Sequence, residues 1–349
     1  MTWHNIHGHD DVVELLRRAL ARRRLASSFL FTGPAGVGKF TFAMKLAEAL
    51  LCHARPEEML DPCGQCPACM QVRAGTHPDL TVVAKPKDRS FIPLDLLIGD
   101  KEHRRREGLC HNIAMKPMMG GRKVAIIDDA DRLNAEGANS LLKTLEEPPP
   151  LSVLILIGTS PAKQLPTIRS RCQLIRFRGL PVDVVAELLG SLQPGCDPAE
   201  VRRLAEHCEG SLQRAVELAD PELWTFRGRL LAKLAEPTLD SVRLAKAVLT
   251  FVDEAGKQPA ARRERLRKVV ALAADFYRHL LHAQSGAPEA DDRELRQHVT
   301  SVLESGAGDA ETTAARLELC LDAAEQIDRN ANQTTLIESW LDELGVIGG

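Results

Sequence analysis

The sequence predicts a three-layer α/β domain built on a parallel sheet, followed by two regions that contain helices alone. Short apolar runs typical of buried strands alternate with helical patterns up to residue 178. A glycine-rich segment separates the first of these runs from the helical pattern that follows it. Beyond residue 178 the strand patterns end, and apolar residues recur at helical spacing.

Five strands are predicted in the first region, each from a short run of apolar or β-branched residues. Continuous apolar runs are typical of parallel strands that are covered on both faces. The predicted strands span residues 28–32, 80–84, 124–129, 151–158 and 172–177. Helices are predicted over residues 10–24, 42–51, 93–115 and 135–147, the last capped by Asn134 and ended by three prolines.

The remaining residues divide into a short and a long helical region. Three short helices are predicted over residues 181–192, 197–208 and 211–218, and longer ones over 241–254, 259–284 and 310–329. A chain of 349 residues suggests two or three domains at roughly 150 residues each. We therefore predict an α/β domain over residues 1–178, a small helical domain over 179–220 and a larger helical domain over 221–349.

The net charge of −3 conceals two unlike halves. Residues 1–178 carry 26 basic and 19 acidic side chains, whereas residues 179–349 carry 19 and 29. This asymmetry suggests different partners for different domains, although solvated helix faces would also produce it. A nearly neutral chain with 4% aromatic residues does not suit a nucleic-acid coat protein or a base-stacking platform.

Neither membrane insertion nor export is predicted. The longest strongly apolar run, residues 151–158, is far too short to cross a bilayer. The first residues lack the basic and apolar regions of a secretory signal. We therefore expect a cytoplasmic protein with no membrane partner, in which nine cysteines do not form a disulfide framework.

The glycine-rich segment has the spacing of a phosphate-binding loop. Gly33, Gly36 and Gly38 allow successive backbone N–H groups to approach a phosphate, and Lys39 would reach the β- and γ-phosphates. The strand before the segment and the helix after it provide the structural context that this motif needs. The alternative is a glycine turn that carries a solvent-facing lysine.

The last position of the motif departs from the pattern. A Ser or Thr hydroxyl normally binds Mg²⁺ there, but this chain has Phe40, which offers no oxygen ligand. Thr41 follows, yet one helical residue corresponds to a rotation of about 100°, so its hydroxyl would point elsewhere. ATP binding is thus compatible with the loop, whereas Phe40 argues against Mg²⁺-dependent hydrolysis.

Two adjacent carboxylates end the third predicted strand. Asp128 would hold the Mg²⁺ shell, and Asp129 would orient or deprotonate the attacking water. Asp129 stands where a longer Glu is usual, so its reach toward the water is one methylene short. The alternative is a pair of solvated acids at the end of a strand.

Four cysteines lie within eighteen residues of one another. Cys52, Cys63, Cys66 and Cys69 supply the four thiolates of a tetrahedral site, for which zinc is the natural metal. Because four cysteines close the site, we expect the zinc to be structural. An iron–sulfur cluster and free core cysteines are the alternatives, and nearby His53 and His77 are substitute ligands.

Several segments together resemble one family, the bacterial DNA polymerase III clamp loader. They are LLKTLEEPP at residues 141–149, LPTIRSRC at 165–172 and GTHPD at 75–79, together with the cysteine insertion that follows the phosphate-loop helix. The similarity is dense over residues 3–178. It is weaker at GSLQRA, residues 210–215, and after residue 221 it is mostly architectural.

This resemblance implies an AAA+ domain, a helical lid and a helical collar that joins subunits into a pentamer. The assembly opens a ring-shaped sliding clamp and places it on primed DNA. The arginine of the Ser-Arg-Cys motif, Arg171, would act in trans on ATP bound to a neighbour. A structural arginine before a buried cysteine is the alternative. Thr159 matches sensor 1 and Arg214 matches sensor 2, while the segment near the adenine pocket is matched by Ile6, Gly8 and His9.

The departures from the family pattern favour one type of subunit. Phe40 and the end of the chain at Gly349 favour the delta prime type over the ATP-hydrolysing gamma or tau type. Delta prime would associate with gamma or tau and with delta, and it would donate Arg171. The first alternative is a gamma-type motor. The second is a zinc-dependent DNA-binding protein, suggested by three consecutive arginines at residues 104–106 on a predicted surface helix.

Overall fold

The structure is a computed structural model that divides into two compact units, Met1–Ala215 and Val216–Gly349. It describes residues 3, 6–86, 89–104, 106–119, 121–193, 196–287, 292–306, 308–329 and 331–347. The predicted domain limits near residues 178 and 220 stay predictions.

The first unit is built on a five-stranded parallel sheet, as predicted. The strands are β1 (Ser28–Thr32), β2 (Leu80–Val83), β3 (Lys123–Ile127), β4 (Ser152–Ile157) and β5 (Gln173–Arg176). Their order across the sheet is β2-β3-β4-β1-β5, and every neighbouring pair is parallel. Since β1 lies between β4 and the edge strand β5, the segment that follows β1 emerges at an interior position of the carboxyl edge.

Helices cover both faces of this sheet, which confirms the predicted three-layer α/β class. Ten helices begin among the described residues of the first unit: α1 (Asp10–Ala21), α2 (Lys39–Leu51), α3 (Pro67–Ala74), α4 (Leu94–Ile98), α5 (Leu109–Ala114), α6 (Ala135–Glu146), α7 (Pro166–Arg169), α8 (Val182–Leu192), α9 (Pro198–His207) and α10 (Leu212–Leu218). Single 3₁₀ turns lie at Glu57–Met59, Ala130–Arg132 and Pro161–Lys163.

Alternate residues of each central strand enter two separate cores. Phe29 and Phe31 of β1 belong to the core that contains α1 and α2, whereas Leu30 belongs to the core beneath α4, α5 and α6. Ile126 and Ala125 of β3 divide in the same way. Side chains alternate between the faces of a strand, so a continuous apolar run is what burial on both faces requires.

One predicted helix is wrong. Residues 93–115 form two short helices, α4 and α5, joined by an irregular segment. A Cβ atom on Gly108 would lie 2.6 Å from the backbone nitrogen of Gly99, and Gly108 has a φ of +87°, so only glycine fits this return of the chain. Arg104 and Arg106 are therefore exposed in an irregular segment instead of on a surface helix, and Arg105 lies outside the described residues.

Among its described residues, the second unit contains helices and connecting turns but no strand. Its helices are α11 (Pro221–Leu234), α12 (Ser241–Asp253), α13 (Pro259–Gln284), α14 (Arg293–Ser305), α15 (Ala310–Asp328) and α16 (Gln333–Val346). Phe226 of α11 stacks on Phe251 of α12, with ring centroids 4.2 Å apart. The buried Arg227 guanidinium pairs with Asp292 and Glu294. Every helix in the described ranges of the chain is too short or too polar to cross a bilayer.

Candidate functional site

The glycine-rich loop joins the end of β1 to the start of α2, as predicted from its motif. Lys39 is the first residue of α2, and its side chain is almost fully buried. Its ammonium donates hydrogen bonds to the carbonyl oxygens of Gly33 and Pro34, at 2.7 and 2.5 Å. Burial lowers the pKa of Lys39, while the nearby carboxylates of Asp128 and Asp131 oppose that shift.

The two predicted carboxylates lie directly after β3, near Lys39. Asp128 is partly buried and accepts a hydrogen bond from the N–H of Asp129 at 3.0 Å. Burial and the adjacent Asp129 carboxylate raise the pKa of Asp128, although the Lys39 ammonium opposes this. Asp129 is exposed and has a φ of +55°. The structure thus brings the loop lysine and both carboxylates together.

A third carboxylate, which the sequence did not single out, organises the other side of this edge. Asp131 accepts hydrogen bonds from the N–H and the hydroxyl of Thr159, at 2.7 and 2.5 Å, and from the amide of Gln164 at 2.7 Å. The carbonyl oxygen of Thr159 in turn accepts from the N–H of Gly33 at 3.2 Å. The sensor 1 candidate therefore contacts the phosphate loop through its backbone and Asp131 through its side chain.

The start of α10 lies against the phosphate loop. The N–H of Leu212 donates to the carbonyl oxygen of Gly36 at 3.1 Å. A Cβ atom on Gly36 would lie 2.5 Å from both the Ser211 hydroxyl oxygen and the Gln213 Cβ atom, so this approach requires glycine. Arg214, the sensor 2 candidate, extends from the same helix with its guanidinium 3.9 Å from the Glu209 carboxylate.

Phe40 and Thr41 occupy exposed positions on the first turn of α2. The Phe40 side chain remains 38% exposed. Thr41 lines a cavity of about 370 Å³ whose other walls include Lys45 and Arg73 of α3. The hydroxyl-bearing residue of this turn therefore faces α3, in agreement with the rotation expected for the residue after Phe40.

The segment matched to the adenine pocket packs beside the same loop. The His9 side chain is buried, and its Nε2 atom lies 2.8 Å from the carbonyl oxygen of Val37. The His9 ring contacts Phe177 edge to face, with centroids 4.8 Å apart. Gly8 lies against Leu180, and Ile6 lines the cavity beside Thr41. His9 thus links the start of the chain to the phosphate loop.

Arg171 lies between α7 and β5, far along the chain from Lys39. Its guanidinium pairs with the Glu146 carboxylate at 2.7 Å. The Nη1 atom also donates to the carbonyl oxygen of Thr167 at 2.9 Å and to the Ser170 hydroxyl at 3.2 Å. One third of the Arg171 side chain is exposed, so a planar, permanent positive charge is accessible at the surface.

The four clustered cysteines converge in the structure. Their sulfur atoms all lie within 4.8 Å of one another. The Cys52 and Cys66 sulfurs are 4.0 Å apart, and those of Cys63 and Cys69 are 3.9 Å apart. Tetrahedral zinc at about 2.3 Å from each sulfur requires sulfur separations of about 3.8 Å. The donor set and its spacing therefore fit a zinc ion, and these four residues could bind one.

Backbone N–H groups favour the thiolate form at two of these positions. The N–H groups of Gln65 and Cys66 lower the pKa of Cys63. Burial acts to raise the pKa of Cys66, but the N–H groups of Cys69 and His53 outweigh it and bring that pKa to about 6. Burial raises the pKa of Cys69. Thiolates are the form that binds metal, so backbone N–H groups favour the ligand form of Cys63 and Cys66, whereas burial opposes it at Cys69.

A single buried carboxylate joins the cysteine loop to the phosphate-loop helix. Glu48 of α2 pairs with Lys45 on its own helix and with Arg73 on α3, both at 2.8 Å. Cys52 directly follows the last residue of α2.

His77, which the sequence suggests as a substitute metal ligand, is buried. Its Nδ1 atom instead accepts a hydrogen bond from the N–H of Asp79.

The sequence matches the model of a known protein family. Residues 8–181, about half of the chain, match the family model described as "DNA polymerase III, delta subunit". The chain belongs to the DNA polymerase III delta′ subunit family. This family is related to the gamma and tau clamp-loader subunits, which the chain also matches. The matched residues contain the phosphate loop, the cysteine cluster and Arg171.

Curated relatives agree with this membership in the delta′ family. DNA polymerase III subunit delta′ of Pseudomonas aeruginosa is 39% identical over 151 residues, which is 43% of each chain. The delta′ subunit of Bacillus subtilis is 32% identical over 208 residues, 60% of this chain and 58% of the relative. The tau subunit of Escherichia coli is 30% identical over 267 residues, 74% of this chain and 39% of the relative. The chain thus spans about two fifths of the first of these relatives and of tau.

Solved structures add similarity of low score. A gamma subunit-related protein of Thermotoga maritima has a TM-score of 0.39 and 17% identity, with coverage of 97% of this chain and 99% of the other. The Holliday junction branch migration motor RuvB of the same organism has a TM-score of 0.38 and 19% identity, with coverage of 86% and 88%.

Proposed function

We propose that this chain acts as the non-hydrolysing delta′ subunit of a DNA polymerase III clamp loader. It associates with gamma or tau and delta subunits in a hetero-pentamer that loads a sliding clamp on primed DNA. Membership in the delta′ family supports this proposal. Within the chain we assign residues 1–178 to an AAA+ domain, 179–220 to a helical lid and 221–349 to a collar through which subunits associate.

The contrast between two cationic side chains is the observation that carries the proposal. Lys39 is buried and donates to carbonyl oxygens of its own loop, beside a phenylalanine at the metal-ligand position. Arg171 keeps an accessible guanidinium on the surface of the same domain. The chain is therefore better equipped to stabilise phosphate charge in a neighbour than to hydrolyse ATP itself.

The candidate site residues have distinct roles in this proposal. Gly33, Gly36, Gly38 and Lys39 form a cradle that can hold a nucleotide phosphate, with Thr159 and Arg214 at its border. Thr41 faces α3, so it is not a replacement ligand for Mg²⁺. Asp128 and Asp129 are retained acids without an efficient role in hydrolysis. Arg171 acts in trans, because a fixed planar charge suits the charge that develops on a transferred phosphoryl group.

We further propose that the four cysteines hold one structural zinc ion. Zinc held by four thiolates cross-links the loop and has no open coordination position for a substrate. The convergence of four sulfurs supports this assignment, and Glu48 and Arg73 attach the loop to α2. The zinc would therefore stabilise the loop at the carboxyl end of α2 without taking part in chemistry.

The test is a comparison of two variants in a reconstituted loader. Arg171→Ala should lower the rate of ATP hydrolysis at the neighbouring subunit's site by about 10³-fold. Lys39→Ala should leave the DNA-stimulated ATP hydrolysis of the assembly close to that of the unmodified assembly. The purified chain alone should show negligible ATPase activity. Equal losses for the two variants, or robust hydrolysis by the isolated chain, would show that the chain is a gamma-type motor.

A further inference from the structure

Arg171 is not a free cation in this chain. Its Nη2 atom lies 2.7 Å from the Glu146 carboxylate. Its Nη1 atom donates to the carbonyl oxygen of Thr167 and to the hydroxyl of Ser170. A guanidinium has five N–H donors, and these contacts use both of its terminal nitrogens. The group that the proposed function sends to a neighbouring phosphate is therefore engaged within its own chain.

We propose that Glu146 holds Arg171 in an ion pair within the chain until a phosphate of the neighbouring subunit displaces the Glu146 carboxylate. We call this ion-paired arrangement the stored position. This inference rests on the proposed function of Arg171. Glu146 is the last residue of α6, where the carbonyl ends of the helix add to the negative potential around the guanidinium. Glu146 and the phosphate compete for the same charge, so Glu146 sets the availability of Arg171 and does not touch the nucleotide.

The strength of the pair suits exchange. Half of the Glu146 side chain and one third of the Arg171 side chain are exposed. Ion pairs this exposed shift an equilibrium by about fivefold or less. A nucleotide phosphate carries more negative charge than one carboxylate and accepts two hydrogen bonds from a guanidinium. Arg171 therefore pairs with Glu146 when no phosphate is present. It leaves Glu146 when a phosphate of the neighbouring subunit comes within reach.

Loss of the stored position should appear as tighter ATP binding and not as faster chemistry. If only a fraction of Arg171 is available, the apparent affinity of the neighbouring site for ATP is reduced by that fraction. In a reconstituted loader, Glu146→Gln should lower the KM for ATP by up to about fivefold and leave kcat within twofold. Glu147→Gln is the matched control, since it removes the same charge from the next, exposed residue.

A double variant separates this inference from the function on which it rests. In an Arg171→Ala background, Glu146→Gln should change neither KM nor kcat. If Arg171→Ala alone has no effect, the proposed donation of Arg171 fails. If Arg171→Ala is deleterious but Glu146→Gln matches Glu147→Gln, the storage role of Glu146 is wrong. A fall in kcat with Glu146→Gln would also overturn it, because Glu146 would then orient Arg171 during the reaction.

Discussion

The Asp131 carboxylate accepts hydrogen bonds from both the backbone N–H and the hydroxyl of Thr159, at 2.7 and 2.5 Å. Thr159 lies two residues after the end of β4, and its carbonyl oxygen accepts a hydrogen bond from the N–H of Gly33. Asp131 follows β3 within a 3₁₀ turn. One carboxylate therefore fixes the relative positions of two strand ends and, through Thr159, the first residue of the phosphate loop.

Replacing Asp131 should loosen this edge of the sheet. Asp131→Ala removes a charged acceptor and leaves three N–H or O–H donors without it, so we expect a loss of about 1–3 kcal/mol in the free energy of unfolding. Urea denaturation measures this loss. Asp129→Asn is a suitable control, because Asp129 is exposed and Asn tolerates a positive φ, and it should stay within about 0.5 kcal/mol.

Asp79 should make folding stability depend on pH below neutrality. Burial acts to raise the pKa of Asp79, but the N–H groups of Met118 and Met119 and the Lys123 ammonium lower it below its usual value. A carboxyl whose folded-state pKa is depressed stabilises the fold above its unfolded pKa, about 3.9, and loses that contribution as the pH falls through the folded value.

The corresponding comparison uses Asp79→Asn. The variant should unfold about 1–3 kcal/mol more easily at pH 7, because an amide oxygen cannot accept both N–H groups as a carboxylate does. The gap should narrow as the pH falls below about 4, since protonation removes the same acceptor from the unmodified chain. Chemical denaturation at several pH values measures the gap, and a gap that stays constant would contradict the assignment.

The cysteine cluster predicts a defined metal content. Purified protein should contain one zinc ion per chain by elemental analysis, and a strong chelator should lower its melting temperature. Cys69→Ser should abolish stoichiometric zinc, since a structural site needs all four ligands. Cys196→Ser should retain it, because Cys196 is exposed and outside the cluster. Metal-free protein with an unchanged melting temperature would eliminate the zinc assignment.

Phe40 predicts how the nucleotide site responds to magnesium. Phe40→Thr restores the hydroxyl that this position normally contributes to the metal, so we expect ATP affinity to rise by at least about tenfold when Mg²⁺ is present. The gain should vanish when Mg²⁺ is omitted. Titration of ATP with and without Mg²⁺ measures both effects. A chain that binds ATP with Mg²⁺ equally well before and after the substitution already has a working metal site.

The sequence carried the features that depend on neighbours along the chain. The five strands, the loop ending at Lys39 and the four-cysteine cluster each have a local pattern, and the structure has all of them. The predicted helix over residues 93–115 was wrong, because the approach of Gly108 to Gly99 is a contact between chain segments. Helical periodicity alone does not reveal such a return.

The partners of the candidate site residues could not be predicted in the same way. Asp131 looked like one acid among several, and only the fold brings it to Thr159, which is 28 residues away. Glu146 lies 25 positions before Arg171, so their ion pair depends on how α6 and α7 pack. The position of Glu48 could have indicated a partner, because it is an acidic residue on the apolar face of α2. A buried carboxylate needs a cation beside it.

The length of α2 has a consequence of its own. The helix begins at Lys39 and stops one residue before Cys52, so a rigid rod of about 20 Å runs from the phosphate loop to the first sulfur of the cluster. The Lys39 ammonium and the first cysteine of the cluster are therefore held apart by one continuous helix and not by flexible chain.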